Sequence, residues 1–270
     1  MDTLGERERH NQRQFDGLAA SYDRMGFLAL TAQFLAGAVK VQPGDAVLDV
    51  MTGTGHVALA LAGAVGPSGR VVGADLSAGM LEVARAKAAG LEQLSFVQGD
   101  ACSLPFADAS FGAVVCASGL FFVPDMVAAL REWRRLVRPG GEVVFSSFGP
   151  GLMGDLPGRW RERLGQYGVT PGSPPLGRIP TPEAAQELLQ SAGFAQIRVS
   201  LSALPYTLAS PQARWADIEA GLEGQPLATF TPSQQARIQA EHRADIAPLF
   251  ASGPYTVPVP VLVARGVRGD

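Results

Sequence analysis

The middle of the chain alternates short apolar runs with longer segments in which apolar residues recur at helical spacing. The runs have the length expected of buried strands, and glycine or polar residues follow each of them. Strands are predicted at 46–50, 70–74, 94–98, 111–117 and 142–147. Alternation of strands with helices predicts a parallel sheet whose faces are covered by helices.

The segments on either side of this core have different patterns. Residues 1–40 have apolar positions at helical spacing, and Pro43-Gly44 marks the turn before the first strand. Residues 149–180 are rich in Gly and Pro. They predict an irregular connection far longer than the usual ~4–6 residues, and connections of that length often act as lids.

The last third of the chain is predicted to add helices and two more strands. Helices are expected to begin at Pro182, Pro211 and Pro232, each of which follows Ser or Thr. The sixth strand is predicted at 194–201 and the seventh at 255–264. Pro258 and Pro260 have no N–H to donate, so regular pairing of the seventh strand is expected only from about Val261.

Composition indicates a globular protein. Of the 270 residues, 47% are hydrophobic and 17% are charged, which favours a sizeable core over disorder. The net charge is −3 and Lys and Arg form no dense run, so nucleic acid is not expected as a partner. We find no signal peptide in residues 1–14 and no run of ~18 apolar residues that could span a membrane. We expect a cytoplasmic monomer or homodimer that binds a small molecule, with Cys102 and Cys116 reduced and no bound metal.

The most informative motif follows the first predicted strand. The strand ends at Asp49-Val50, and Met51-Thr52-Gly53-Thr54-Gly55 then leads into an apolar run with helical spacing. Gly53 and Gly55 have no Cβ atom, which allows the backbone to approach a bound nucleoside closely. The spacing differs from the G-x-G-x-x-G of nicotinamide-binding folds. Asp49 would repel a pyrophosphate and attract a cationic ligand.

Two further aspartates follow the second and third predicted strands. Asp75 comes about twenty residues beyond the glycine turn, where an acidic residue can accept both hydroxyls of a ribose. Asp100 follows the third strand. Because parallel strands end at one edge of a sheet, Asp49, Asp75 and Asp100 are expected to surround one ligand. A single aspartate of this kind is often a turn residue, whereas three at successive strand ends indicate a site.

These motifs resemble those of class I S-adenosylmethionine-dependent methyltransferases, in particular the family of ubiquinone and menaquinone biosynthesis and its small-molecule relatives. The segment 49–55 is similar to the first motif of that class, with Met51 in place of the first glycine. Further similar segments are 15–23, 71–80, 98–106, 111–115 and 138–141. The resemblance covers residues 11 to about 148 well and the remainder weakly.

The resemblance implies a Rossmann-like, doubly wound α/β sheet of seven strands in the order 3-2-1-4-5-7-6, with the last strand antiparallel and helical lid insertions. It also implies S-adenosyl-L-methionine as cofactor and S-adenosyl-L-homocysteine as product. Asp75 would bind the ribose, Asp100 the adenine amino group, and Asp49 the ammonium group, directly or through water. The predicted cofactor-binding residues are Tyr22, Asp49, Met51, Thr52, Gly53, Gly55, Asp75, Leu76, Met80, Asp100, Ala101, Ala117, Ser118 and Phe122.

The implied reaction is transfer of a methyl group to a small, aromatic or hydrophobic organic acceptor at O, C or N. The leaving group is already activated, so positioning of the reactants can supply much of the catalysis. Tyr22, His56 and His242 are candidates for a general base, and none is assigned. Alternatives are a cyclase or decarboxylase of the same fold that binds the same cofactor, a nicotinamide-dependent oxidoreductase, and a binding module without catalysis.

We therefore predict three units: an N-terminal helical lid over 1–40, a cofactor-binding core over 41–148, and a third part over 149–270. The third part would contain acceptor-cap insertions and the two strands that complete the sheet. Large aromatic residues outside the predicted sheet are Phe27, Trp160, Tyr167, Trp215, Phe230 and Phe250. The N-terminal helices and the segments 149–180 and 205–252 are predicted to close over an apolar acceptor chamber, with Tyr22 at its inner face. The alternative is that these aromatic residues only pack against the sheet.

Overall fold

The computed structural model describes residues 5–172 and 175–270, and the sheet in it has the predicted seven strands. The strands are β1 (Ala46–Val50), β2 (Arg70–Asp75), β3 (Leu94–Gln98), β4 (Phe111–Cys116), β5 (Val137–Phe148), β6 (Ala195–Leu208) and β7 (Tyr255–Val267). Their order is β3-β2-β1-β4-β5-β7-β6. Strands β1 to β5 pair in parallel, and β7 is antiparallel to both of its neighbours. The predicted fold class is therefore confirmed.

Helices connect and flank these strands. In the described ranges they are α1 (Glu6–Leu18), α2 (Gly26–Ala38), α3 (His56–Val65), α4 (Ala78–Lys87), α5 (Met126–Leu136), α6 (Leu156–Gln166), α7 (Pro182–Ser191), α8 (Pro211–Ala220) and α9 (Pro232–Ile246). Five of them begin at a side-chain cap that accepts a backbone N–H, from Ser77, Asp125, Thr181, Ser210 and Thr231. No helix within the described ranges is both long and apolar enough to cross a membrane.

The centre of the sheet is buried on both faces. In β1, Val47, Leu48 and Val50 are at most 1% exposed, which explains why this strand is apolar at successive positions rather than at alternate ones. β1 pairs with β2 on one side and β4 on the other. The turn after β1 therefore lies between the carboxyl ends of these two strands, and this arrangement positions the site described below.

The prediction of a wholly irregular connection over 149–180 was wrong, because α6 lies within it. Leu156, Trp160 and Leu164 are spaced four residues apart and are buried on one side of this helix. Proline in its first turn is compatible with a helix start, so the Pro and Gly content of the segment concealed a short amphipathic helix. Two residues of the predicted connection, 173 and 174, lie outside the described residues.

The prediction that the seventh strand pairs only from about Val261 was also wrong. β6 continues beyond its predicted end, and it pairs with β7 from Tyr255 onward. The carbonyl groups of Pro258 and Pro260 accept hydrogen bonds from the loop after β5, on the side away from β6. In an antiparallel strand the N–H and C=O of a residue point to the same side, so the missing N–H groups do not interrupt pairing with β6. Val261 is instead the point where pairing with β5 begins.

The inserted helices have a small apolar core of their own. It is formed by the buried residues Trp160, Leu164, Trp215, Ile218, Leu227 and Ile238. The rings of Trp160 and Trp215 meet edge to face at 5.7 Å, and those of Tyr167 and Phe230 at 5.8 Å. Most of the large aromatic residues in the insertions therefore pack against one another.

Candidate active site

A cavity lies at the carboxyl ends of the first four strands, and the N-terminal segment contributes to its wall. Eleven of the fourteen predicted cofactor-binding residues line it: Tyr22, Met51, Gly53, Asp75, Leu76, Met80, Asp100, Ala101, Ala117, Ser118 and Phe122. They come from segments that are far apart in the chain and that the strand order brings together. Asp49, Thr52 and Gly55 do not line the cavity.

Asp75 sits at the end of β2 and faces this cavity. Its Oδ2 accepts a hydrogen bond from the Gly53 N–H at 2.8 Å, and its Oδ1 accepts one from the Ser77 N–H at 2.9 Å. These two bonds fix the carboxylate between the glycine turn and the start of α4. Burial raises the pKa of Asp75, and the backbone N–H groups oppose that shift. Each carboxylate oxygen retains capacity for a second hydrogen bond from a ligand hydroxyl.

The charged side chains in the described lining of the cavity are all acidic. Its lining includes the carboxyl groups of Glu8, Asp75 and Asp100, and no Lys or Arg is found among the described residues that line it. Asp100 also accepts a hydrogen bond from the Cys102 N–H at 2.9 Å, which orients its carboxylate. A cavity with this charge favours a cationic ligand and disfavours a pyrophosphate.

Asp49 lies beneath the cavity rather than in its wall. The side chain is 1% exposed, and its Oδ2 accepts hydrogen bonds from the Thr52 hydroxyl at 2.6 Å and the Ala58 N–H at 3.0 Å. Burial raises the pKa of Asp49 to about 7. Its Oδ1 is buried and has no hydrogen-bond partner among the described residues. Asp49 and Thr52 therefore hold the turn together from below, and the structure does not place them in direct reach of a ligand.

Only one of the two predicted glycines faces the cavity. Gly53 lines it and adopts φ of 55°. Gly55 adopts φ of 85° at the start of α3, and a Cβ atom there would lie 3.2 Å from the Ala84 Cβ and 3.3 Å from the Phe96 ring. The role of Gly55 is thus to allow the left-handed turn and the close packing of α4 and β3.

The N-terminal segment is tied to the core at two carboxylates. Asp16 accepts hydrogen bonds from the Ser77 hydroxyl at 2.5 Å and the Gly79 N–H at 3.0 Å. Asp23 accepts one from the Thr54 hydroxyl at 2.5 Å and forms an ion pair with Lys87 at 2.8 Å. Between these two attachments the chain carries Tyr22, which lines the cavity.

Four cavity residues of α1 were missed by sequence analysis: Glu8, Asn11, Gln12 and Phe15. Asn11 and Gln12 donate hydrogen bonds to the carbonyl groups of Phe122 and Leu76, at 3.3 and 3.1 Å. Their spacing of i, i+3, i+4 and i+7 is the signal that could have found them, because it places all four on one helix face. The face is largely polar, so a search for apolar periodicity does not detect it.

Comparisons with known proteins agree with this geometry. The family described as a methyltransferase domain matches residues 47–141. Demethylmenaquinone methyltransferase of Staphylococcus aureus (strain JH9) is 41% identical over 138 residues, which are 49% of this chain and 57% of that protein. Residues 47–141 are therefore similar to a methyltransferase domain. The chain spans little more than half the length of this relative.

Solved structures resemble most of the chain and not only residues 47–141. Phosphoethanolamine N-methyltransferase 2 of Haemonchus contortus, in complex with S-adenosyl-L-methionine, has a TM-score of 0.58 and 17% identity, over 99% of this chain and 61% of that chain. The [4+2]-cyclase SpnF has a TM-score of 0.53 and 20% identity, over 89% of this chain and 81% of that chain. At these identities the likeness shows the fold alone, and proteins with this fold catalyse different reactions.

His56 and Tyr22, two of the candidates for a general base, have different surroundings. His56 does not line the cavity, and its Nε2 lies 3.0 Å from the Asp23 Oδ1. Burial lowers its pKa. Tyr22 lines the cavity, and burial together with the charges of Asp75 and Asp23 raises its pKa above the usual range. The Tyr22 hydroxyl therefore stays protonated near neutral pH, which makes it a hydrogen-bond donor rather than a base.

His242 does not line the cavity. It is fully buried in α9, with its ring 5.1 Å from that of Trp160 and 6.4 Å from that of Trp215. Neither ring nitrogen has a hydrogen-bond partner among the described residues. Burial lowers the pKa of His242 to about 4, from an ordinary value of 6.5. We infer that His242 is a structural residue of the insertion core.

Replacing His242 with Phe should change the pH dependence of stability and leave cofactor affinity unchanged. Between pH 6.5 and about 4 the unfolded chain binds a proton at His242 that the folded chain does not bind. The free energy of unfolding of the wild type should therefore fall relative to His242→Phe as the pH drops through this window. Urea unfolding at several pH values measures it, with the exposed His10→Phe as control. A constant difference between wild type and His242→Phe would contradict the assignment.

Proposed function

We propose that the protein is an S-adenosylmethionine-dependent methyltransferase that acts on a small, aromatic or hydrophobic organic acceptor at O, C or N. The observation that carries this proposal is the set of acidic groups at the strand ends. Asp75 and Asp100 face one cavity that has no Lys or Arg among its described lining residues. Such a cavity suits a nucleoside that carries a sulfonium and an ammonium group.

The residues that line the cavity fit this cofactor. Asp75 has free acceptor capacity at the place where a ribose diol would lie, and its carboxylate is already oriented by the Gly53 and Ser77 N–H groups. Leu76 and Met80 supply apolar surface for a purine beside Asp100. The Oδ1 of Asp49 is buried and has no partner among the described residues. In its ionised form Asp49 would add negative potential beneath the glycine turn and favour a nearby ammonium group without direct contact.

The chain's own residues would act by positioning the reactants and excluding water. The cofactor supplies a methyl group on a positively charged sulfur, which is an activated leaving group. Aromatic rings of the N-terminal segment and of the turn after β4 meet over the cavity, with the Phe15 and Phe122 rings 5.1 Å apart and the Phe15 and Tyr22 rings 6.2 Å apart. This apolar cover would hold the acceptor in line and keep the site dry. No general base is assigned.

The three predicted units enter this proposal with different roles. Residues 1–40 would be the lid and 41–148 would hold the cofactor. The described parts of 149–180 and 205–252 contribute no residue to the cavity wall. The segment 205–252 adjoins the lid, since the Tyr206 ring packs against the Phe27 ring with centroids 6.0 Å apart. The acceptor would therefore approach between the lid and the insertions.

Turnover in the presence of an acceptor panel tests the function. The name of the Staphylococcus aureus relative makes reduced naphthoquinones the first acceptors to try, followed by phenols and polyketide-like aromatics. We expect one S-adenosylhomocysteine for each methylated product, measured by mass spectrometry. The alternative, a cyclase or decarboxylase that retains its cofactor, predicts a changed acceptor without S-adenosylhomocysteine. That result would overturn methyl transfer while leaving cofactor binding intact.

A further inference from the structure

Met51 occupies a backbone conformation that disfavours a side chain. It follows β1 directly and adopts φ of 58°, in the left-handed region that glycine adopts most readily. A Cβ atom in this conformation lies too close to the following carbonyl group. Met51 also stands where the first motif of the class has its first glycine. A residue held in an unfavourable conformation beside a ligand cavity suggests that its side chain has a function there.

Gly119, in contrast to Met51, has a backbone conformation that accepts a side chain. Its φ is −112°, which any residue can adopt, so its backbone does not require glycine. A Cβ atom at this position would lie 2.9 Å from the Met51 Cβ, 3.0 Å from the Met51 Sδ and 3.0 Å from the Cys116 Sγ. Such distances are too short for carbon and sulfur atoms in contact. The glycine therefore makes room mainly for the side chain of Met51.

Both residues line one end of the cavity. Asp75 ends β2 and Asp100 follows β3, whereas Met51 follows β1, and Gly119 follows β4 with Ala117 and Ser118 between. Since the strand order is β3-β2-β1-β4, the two aspartates mark one end of the cavity and the β1 and β4 turns mark the other. If the nucleoside lies at the aspartates, as the proposed function requires, the sulfur of the cofactor lies toward Met51 and Gly119.

We propose that Met51 and Gly119 are a specificity-determining pair that sets the room at the sulfur end of the cavity. The thioether of Met51 takes the volume that Gly119 leaves free and narrows this end. The pair then limits the size of the alkyl group on the cofactor's sulfur. This inference rests on the proposed function, because it needs the cofactor in this cavity.

A double-mutant cycle tests the coupling of the two side chains. Gly119→Ala in the wild-type background should weaken S-adenosylhomocysteine binding by about tenfold or more, because the new methyl group overlaps Met51. The same substitution in a Met51→Gly background should weaken binding by less than about threefold, because two of the three close contacts are gone. Gly63→Ala in α3 is the control, because a Cβ atom there would meet no atom of the described residues within 4 Å. Equal losses in both backgrounds would overturn the pair.

A comparison of cofactors with different alkyl groups tests the specificity. By calorimetry the wild type should bind S-adenosylmethionine about tenfold more tightly than its S-ethyl analogue, and Met51→Gly should reduce this preference to about threefold or less. An unchanged preference in Met51→Gly would overturn the inference while the proposed function stands. Failure of the wild type to bind S-adenosylmethionine would instead overturn the proposed function, and the specificity role with it. Thermal unfolding of each variant identifies losses of affinity that come from misfolding. Met51→Gly is expected to fold, because glycine removes the backbone strain at this position rather than adding to it.

Discussion

Replacing Asp75 with Ala is expected to weaken binding of S-adenosylhomocysteine by about tenfold to a few hundredfold. Hydrogen bonds to a charged group contribute roughly 1.5–3 kcal/mol each, and ~1.4 kcal/mol corresponds to one decade in affinity. The carboxylate faces the cavity, where it can accept hydrogen bonds from the ribose hydroxyls. Isothermal titration calorimetry on both proteins measures the change.

Two controls separate a ligand contact at Asp75 from a structural effect. Asp75 also accepts the N–H groups of Gly53 and Ser77, so the unfolding temperature of Asp75→Ala has to be measured alongside its affinity. Asp108→Ala removes an exposed carboxylate that pairs with Arg135, and it should bind like the wild type. If Asp75→Ala titrates like the wild type, the ribose-binding role of Asp75 is wrong.

Removing the two carboxylates that attach the N-terminal segment should speed release of S-adenosylhomocysteine. Asp16 accepts hydrogen bonds from Ser77 and Gly79, and Asp23 contacts Thr54 and Lys87. The contacts are partly exposed, so each of the two carboxylates is expected to contribute about 0.5–1.5 kcal/mol, and the double Ala variant should release the ligand about tenfold to a hundredfold faster. Stopped-flow displacement measures the rate.

Hydrogen exchange shows whether this change comes from lid opening. In the wild type, S-adenosylhomocysteine should slow amide exchange over residues 11–28, and the double variant should lose most of that protection. Asp245→Ala is the matched control. Asp245 also forms an ion pair, with Arg163 in the insertions, and its side chain is 38% exposed, close to the 37% of Asp23. No added protection over 11–28 in the wild type would mean that these residues do not form a lid.

The sheet and most of the cavity wall could be predicted because they depend on local sequence signals. Buried strands on both sides of β1 read as apolar runs, and the aspartates that follow them mark the edge where a ligand binds. The strand order itself came from the resemblance, since short apolar runs contain no information on their neighbours. The antiparallel direction of β7 also came from the resemblance, whereas the helix starts at Pro182, Pro211 and Pro232 were predicted from local features.

The features that sequence analysis missed depend on three-dimensional contacts that no sequence pattern indicates. Asp49 was expected to hold the ammonium group directly or through water, but the Thr52 hydroxyl and the Ala58 N–H donate to its carboxylate beneath the turn, out of direct reach of a ligand. Met51 lies close to Gly119, and no local sequence pattern connects these two positions. The insertion helices were expected to surround an acceptor, whereas Trp160 and Trp215 pack into a core of their own.

Calorimetric titration of the purified wild type with S-adenosylhomocysteine, and separately with NAD, tests the central claim most directly. The acidic cavity predicts binding of S-adenosylhomocysteine with one site per chain and no detectable binding of NAD, whose pyrophosphate would face Asp75, Asp100 and Glu8. Binding of NAD without binding of S-adenosylhomocysteine would contradict the account.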